Sequence, residues 1–252
     1  MSHRIYNFSA GPCTLPLPAL EKAAGELVDY QGAGMSLIEM SHRGKHYDEV
    51  HKSALANLRE VLAVPDTHAV VLVQGGATLQ FAMVPMNFGV DGKTAAYAAT
   101  GSWAKKAIAD GKKLTEARVV WTDEENGFKR MPRPDEIRVG DDVSYVHLCT
   151  NETIGGIEMS EVPDTGDVPL VCDMSSHIAS RPIDWSRIDV AYAFLEEANF
   201  YVLAAKLLFQ DPVRVHHAAR HSLALQRAFG CSVRTHRHRT LPAGSGPEPT
   251  GP

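Results

Sequence analysis

The sequence predicts an α/β fold in which helices cover both faces of a mostly parallel sheet. The candidate strands are apolar throughout rather than alternating, and they alternate with helix-like stretches, as in parallel sheets that are buried on both faces. Polar residues collect directly after several of these strands, for example at 75–78 and 173–177. Ligands of such sheets bind at the carboxyl ends of the strands, so this edge is the expected site.

The elements follow one another in a simple order. A helical stretch over 17–31 precedes the sheet and extends from an N-terminal arm. Two strand-and-helix pairs come next, predicted as strand 68–74 with helix 79–89 and strand 94–100 with helix 104–113. Four more apolar runs complete the predicted sheet, at 117–122, 142–150, 168–173 and 188–194.

Composition restricts the class of protein. The chain has 252 residues, 44% hydrophobic and 22% charged, which is ordinary for a globular protein. A net charge of −5 argues against nucleic acid or an anionic membrane as the main partner. The longest apolar runs are too short to span a bilayer, and the first residues have no apolar signal core, so we expect a cytoplasmic protein. Four scattered cysteines predict neither a disulfide framework nor a metal site.

The character of the sequence changes near residue 194. Residues 1–193 contain 18 Lys/Arg and 26 Asp/Glu, a net charge of −8, whereas residues 194–252 contain 7 and 4, a net charge of +3. The last segment is rich in Arg, His, Pro and Gly. We therefore predict an arm over 1–20, a large domain over 21–193, a divergent segment over 194–234 and a disordered tail over 235–252.

Four strand-end features suggest one ligand. Gly75 and Gly76 between a strand and a helix form a typical anion cradle, although a lone Gly-Gly is more often a tight turn. Trp103 can stack on a flat ring, or simply pack. Thr153 can bond a ring hydroxyl or cap a helix, and Asp173 can pair with a protonated pyridine nitrogen or cap a turn. Together they fit pyridoxal 5′-phosphate.

Six ordered motifs over about residues 5–193 resemble those of the phosphoserine aminotransferases, class V, fold-type I pyridoxal-phosphate enzymes. They are "NFSAGPCTLP", "GMSLIEMSHRGKHY", "GGATLQF", "GSWAKKA", "CTNETIGGIE" and "DMSSHIASRPIDWSRIDVAYA". The resemblance implies transfer of an amino group from glutamate to 3-phosphohydroxypyruvate in serine biosynthesis, by a homodimer. Other class V members, such as serine–glyoxylate aminotransferases and cysteine desulfurases, fit these motifs less well.

The resemblance also implies site residues. Ala77 and Thr78 would hold the cofactor phosphate through their backbone, and Trp103 would stack on the ring. Thr153 would bond the 3′-oxygen and Asp173 the ring nitrogen. His42 and Arg43 would bind substrate anions, although an ordinary solvated loop is the alternative at these two positions.

The chain departs from the family directly after "AYA". The family continues with Gly-Ala-Gln-Lys-Asn, whose lysine binds the cofactor covalently, whereas this chain continues with Phe194, Leu195, Glu196, Glu197 and Ala198. Glu196 replaces a phosphate contact with a negative charge, and the Glu197 carboxylate cannot form an imine. The family's C-terminal small domain is also expected to be missing.

Two explanations fit this departure. A reading-frame slip near codon 194 would make the remaining sequence out-of-frame translation, which the abrupt change of composition favours. Alternatively the chain is a non-catalytic relative that binds the cofactor or serves as a dimer partner. Lys206 is a possible displaced lysine, but it lies nine residues after Glu197 in a helix-like apolar run.

Overall fold

The structure is a computed structural model that describes residues 4–5, 16–73, 75–194 and 232–234. Within these ranges lie four α-helices. They are α1 (Leu17–Glu26), α2 (Lys45–Val61), α3 (Gly76–Phe88) and α4 (Ser102–Gly111). Glu196, Glu197, Lys206 and the predicted tail lie outside the described residues.

A seven-stranded sheet forms the centre of the described chain, with the strand order β1-β9-β8-β7-β4-β2-β3. Neighbouring strands from β8 to β3 are parallel, while β9 runs antiparallel to both β1 and β8. A separate two-stranded ladder joins β5 and β6. The strands are β1 (His68–Ala69), β2 (Thr94–Ala99), β3 (Ala117–Thr122), β4 (Val143–Cys149), β5 (Asn151–Glu152), β6 (Ile157–Glu158), β7 (Leu170–Asp173), β8 (Val190–Tyr192) and β9 (Ser232–Arg234).

Helices cover both faces of the sheet, which confirms the predicted fold class. Alternate residues of a strand point to opposite faces, and β2 shows this clearly. Ala96 and Ala98 pack in one apolar cluster with Ala54 and Leu58 of α2. Tyr97 and its neighbours on the other face pack in a second cluster with residues of α3 and α4, namely Ala95, Ala99, Phe81, Val84, Ala107 and Ile108.

The predicted elements agree with the structure in their order but differ at several places; the first helix, expected over 17–31, ends at Glu26. The strand expected over 68–74 was too long, because the ladder includes only His68–Ala69 and its partner β9 supplies three residues. An apolar sequence pattern indicates burial, whereas a strand also requires a neighbouring backbone with which to form hydrogen bonds. The sequence analysis assigned no element to α2, whose buried residues Tyr47, Val50, Ala54 and Leu58 have clear helical spacing.

The topology gathers the carboxyl ends of β2, β4 and β7 at one edge of the sheet, because these strands are parallel neighbours. The turns that leave this edge contain the polar residues that the sequence singled out. No helix in the described residues is long and apolar enough to cross a membrane.

Candidate cofactor site

One pocket lies at this edge of the sheet. Its lining brings together four of the residues that the sequence predicted, each from a different segment of the chain: Ala77, Trp103, Thr153 and Asp173. The remaining lining residues are Cys149, Asn151, Ser175 and Ser176. The cavity volume is about 20 Å³, which is room for about one water.

The turn before α3 depends on two glycines. Gly75 has φ 103° and Gly76 has φ 62°, the left-handed region that favours glycine. Gly75 occupies the N-cap position, and no side chain of the residues that the structure describes caps this helix end. The backbone N–H groups of the first turn of α3, which includes Ala77, are therefore available to an anion. Thr78, the next residue, is exposed and does not line the pocket.

Trp103 is held in place by a buried carboxylate. Glu152 is 1% exposed, and it accepts hydrogen bonds from the backbone N–H groups of Trp103 and Ala104, both at 2.9 Å. Thr100 donates a third bond from its hydroxyl at 3.2 Å. A side chain at Gly101 would lie 2.7 Å from Glu152 Cδ, so only glycine permits this approach. Glu152 thus caps α4 from a distant strand and fixes the residue that forms the pocket wall.

The indole of Trp103 has two notable neighbours. The Lys106 ammonium lies over the ring, 4.1 Å from the ring centroid. The indole Nε1–H is buried and has no hydrogen-bond partner among the described residues. Since Lys106 does not line the pocket, the indole can offer a ligand ring contact there and an unused donor.

Asp173 is the most constrained residue of the pocket. It is 4% exposed, and its Oδ1 accepts hydrogen bonds from the Ser175 backbone N–H at 3.0 Å and the Ser175 hydroxyl at 2.6 Å. Burial raises the pKa of Tyr192, and the Asp173 carboxylate raises it further by its charge and as a hydrogen-bond partner. The Tyr192 hydroxyl therefore stays protonated and donates to Asp173.

His147 extends this network away from the pocket. Its Nε2 lies 2.8 Å from the Tyr192 hydroxyl. Because that hydroxyl proton goes to Asp173, Nε2–H must be the donor here, and the buried Nδ1 has no partner within the described part of the chain. Burial lowers the pKa of His147 to about 3, so the imidazole is neutral at neutral pH. Asp173 is thus oriented by uncharged hydrogen-bond partners.

The rest of the wall is polar and uncharged. Ser176 donates from its hydroxyl to Asn151 Oδ1 at 2.8 Å, and the Cys149 thiol lies 3.2 Å from the Asn151 carbonyl oxygen. Burial raises the pKa of Cys149 well above its usual range, and nearby Asp173 adds to this, so the thiol stays protonated. Thr153 lies in the turn between β5 and β6 and is half-buried. This wall supplies hydrogen-bonding groups rather than a nucleophile.

Phe194 lies beside the glycine turn and is not among the residues that line the pocket. Its backbone N–H donates to the Ser175 hydroxyl oxygen at 3.1 Å, which connects it to the Asp173 network. Its ring lies beside Gly76: a Cβ at that glycine would be 3.3 Å from ring atoms Cδ2 and Cε2. The side of the glycine turn next to Gly76 is therefore filled by a phenyl ring.

These residues fit the ring of pyridoxal phosphate better than its phosphate. Asp173 offers a buried carboxylate for the ring nitrogen, and Trp103 offers an aromatic wall with an unsatisfied N–H. The anion end has the N–H groups of α3, but Phe194 lies against it.

The predicted substrate residues do not join this group. His42 and Arg43 lie exposed in the turn before α2, and neither lines the pocket. The Arg43 backbone N–H donates to the Ser41 hydroxyl at 3.3 Å, as in an ordinary turn. Their role in binding substrate stays a prediction, as does the role of Glu196 beside the phosphate.

Sequence reasoning missed Glu152, Tyr192 and Phe194 as parts of the site. Glu152 falls within the polar stretch that follows β4, but its partner helix begins about fifty residues earlier in the chain. Tyr192 could have been found, because it places a hydroxyl in an otherwise apolar strand. Phe194 departs from the family sequence, but the sequence alone does not show that its ring lies beside Gly76.

Residues 5–195 match the Aminotransferase class-V family. The chain belongs to this family, which confirms the resemblance seen in the sequence motifs.

The similar proteins include several phosphoserine aminotransferases. The chain is 49% identical over 193 residues to that of Niallia circulans, covering 77% of this chain and 53% of the relative. It is 50% identical over 190 residues to that of Burkholderia multivorans, covering 75% and 53%. The chain thus spans about half the length of these curated relatives.

Solved structures show the same similarity. A phosphoserine aminotransferase from Bacillus circulans subsp. alkalophilus superposes with a TM-score of 0.75 at 47% identity, covering 78% of this chain and 54% of that one. A phosphoserine aminotransferase from Trichomonas vaginalis, solved with pyridoxal phosphate bound, gives a TM-score of 0.72 at 36% identity, covering 88% and 63%.

Proposed function

We propose that this chain carries the large domain of a phosphoserine aminotransferase and that its pocket binds the ring of pyridoxal 5′-phosphate. The observation that supports this most is the convergence of Ala77, Trp103, Thr153 and Asp173 on one pocket. The bound cofactor of the Trichomonas vaginalis relative supports it independently.

The residues of this chain would divide the work as follows. Asp173 would hold a proton on the ring nitrogen, because its carboxylate is buried and oriented by Ser175 and Tyr192. Trp103 would restrict the ring to one plane, and Thr153 would bond the ring oxygen. When bound, the cofactor supplies an electron sink for amino-group transfer. His42 and Arg43 would bind the substrate anions.

The family reaction would transfer an amino group from glutamate to 3-phosphohydroxypyruvate, in a cytoplasmic homodimer. Glu197 stands where the family has its lysine, and a carboxylate can neither bind the cofactor covalently nor replace the amine as the proton-transfer base. Loss of a positioned general base alone slows a reaction about 10²–10⁴-fold. We therefore propose that the polypeptide as written binds the ring but does not transaminate.

The test is an assay of the purified chain with glutamate, 3-phosphohydroxypyruvate and pyridoxal phosphate, measured as 2-oxoglutarate formed. A full-length phosphoserine aminotransferase serves as the positive control. We expect no turnover above background. Turnover near that of the control would overturn the proposal and make Lys206 the next candidate.

A second possibility, a cofactor-binding relative or dimer partner without turnover, is favoured by Phe194, Glu196 and Glu197 occurring together. Translation of the gene around codon 194 in three frames distinguishes it from a frame slip. A Gln-Lys-Asn sequence in another frame would support the slip, whereas its absence would support a genuine non-catalytic relative.

A further inference from the structure

We propose that Phe194 closes the anion end of the pocket, so that this chain binds an unphosphorylated pyridine ligand at least as tightly as its 5′-phosphate. The inference rests on the proposed function, since it assumes that the pocket accepts a pyridine ring. It concerns the 5′-phosphate end of that ligand. The N-terminus of α3 would otherwise favour the phosphorylated form, and the inference reverses that preference.

The first support is the contact at Gly76. A Cβ built on this glycine would lie 3.3 Å from two carbons of the Phe194 ring, which is tighter than ordinary van der Waals contact. Gly76 is the first residue of α3, and the adjoining Ala77 lines the pocket. The phenyl ring therefore takes space beside the turn whose N–H groups would bind a phosphate.

The second support is the way Phe194 is anchored. It follows β8 by two residues, so the central sheet fixes the chain that leads to it. Its N–H donates to Ser175 Oγ, and that hydroxyl donates to Asp173. This bond fixes the backbone of Phe194 next to the turn and so keeps its ring within reach of Gly76.

The third support is chemical. A phosphate dianion loses hydration on binding and needs charge-assisted hydrogen bonds in return. A phenyl ring offers no strong hydrogen-bond donor, and it excludes water from the groups beside it. The resemblance to the family places glycine at position 194, so the ring is a feature of this chain.

The experiment uses the full chain and two probes without an aldehyde, pyridoxamine and pyridoxamine 5′-phosphate, so that surface lysines form no imines. Dissociation constants are measured by titration calorimetry for the wild type, Phe194→Gly and the control Phe128→Gly. Phe128 is a half-buried phenylalanine outside the pocket lining, with a positive φ that glycine accommodates. Circular dichroism checks folding, and Phe194→Ala replaces Phe194→Gly if the latter does not fold.

We expect the wild type to bind pyridoxamine no more weakly than its phosphate. Phe194→Gly should tighten binding of the phosphate by about tenfold or more, the value of one hydrogen bond to a charged group, and change pyridoxamine binding less than about twofold. Phe128→Gly should change neither.

Two results would overturn the inference but not the proposed function. In the first, the chain binds pyridoxamine, but Phe194→Gly does not tighten binding of pyridoxamine 5′-phosphate. In the second, Glu196→Gln tightens binding of pyridoxamine 5′-phosphate and Phe194→Gly does not. The latter would assign the discrimination to the carboxylate. Failure of wild type and variants to bind either probe would overturn the proposed function, and the inference with it.

Discussion

Two turns of this chain have the same local structure and different surroundings. In the pocket, Asp173 Oδ1 accepts from the Ser175 N–H at 3.0 Å and hydroxyl at 2.6 Å. On the surface, Asp184 Oδ1 accepts from the Ser186 N–H at 3.0 Å and hydroxyl at 2.6 Å. The second turn only caps the short 3₁₀ helix Trp185–Arg187.

The two turns differ in burial and in the side chains that contact the aspartate. Asp173 ends a central strand, is 4% exposed and is backed by Tyr192 and His147, whereas Asp184 is exposed. The Asp-x-Ser pattern therefore predicts a turn, and the fold decides whether that turn serves a ligand.

The largest expected effect is on stability. It concerns Glu152, a buried carboxylate that caps a helix and does not bind the ligand. Glu152→Ala removes the acceptor of two backbone N–H groups of α4, and we expect a loss of about 3 kcal/mol in the free energy of unfolding. Urea titration measures it. Glu152→Gln, which keeps one acceptor oxygen, should lose less. A loss no larger than that of Asp184→Ala would contradict the importance of burial.

The next effect separates the two turns by function. Asp173→Asn keeps the shape and an acceptor oxygen but removes the charge, so we expect pyridoxamine to bind about 30-fold more weakly, in the range of a hydrogen bond to a charged group. Asp184→Asn is the matched control and should leave the dissociation constant unchanged. Equal effects of both substitutions, measured by titration calorimetry, would place the ligand elsewhere.

Most of the fold could be predicted from the sequence, because uninterrupted apolar strands and helical stretches express burial directly. The site was only partly predictable, since strand-end residues such as Asp173 follow from topology but their partners do not. Trp103 and Glu152 are 49 residues apart and meet only in the folded chain. The ring of Phe194 likewise reaches Gly76 only once β8 has joined the sheet.

The third effect concerns the neutral histidine behind the buried turn. Burial lowers the folded-state pKa of His147 to about 3, from the ordinary histidine value of 6.5. Between pH 6.5 and 3, His147 is therefore protonated in the unfolded chain but neutral in the folded chain. Its contribution to stability consequently falls as pH falls through this window, by about 1.4 kcal/mol per pH unit.

His147→Phe should remove this part of the slope. The free energy of unfolding, measured in urea at pH 5 and 7, should differ less in the variant than in the wild type. A residual slope is expected from His177, whose pKa burial also lowers. The exposed His46→Asn is the control and should keep the wild-type slope. An unchanged slope in His147→Phe would show that the imidazole is not kept neutral by burial.

The smallest effect compares the two serines directly. Ser175→Ala removes the hydroxyl that donates to Asp173 and accepts from the Phe194 N–H, so one half-buried donor loses its partner. We expect a loss of about 1 kcal/mol in the free energy of unfolding and faster amide hydrogen exchange at Phe194. Ser186→Ala removes a hydroxyl with the same 2.6 Å bond, but water replaces that bond on the surface, so its loss should be smaller. If both variants lose the same stability and Phe194 exchange is unchanged, the hydroxyl of Ser175 does not connect the two ends of the pocket, and Phe194 is held by its ring contact with Gly76 alone.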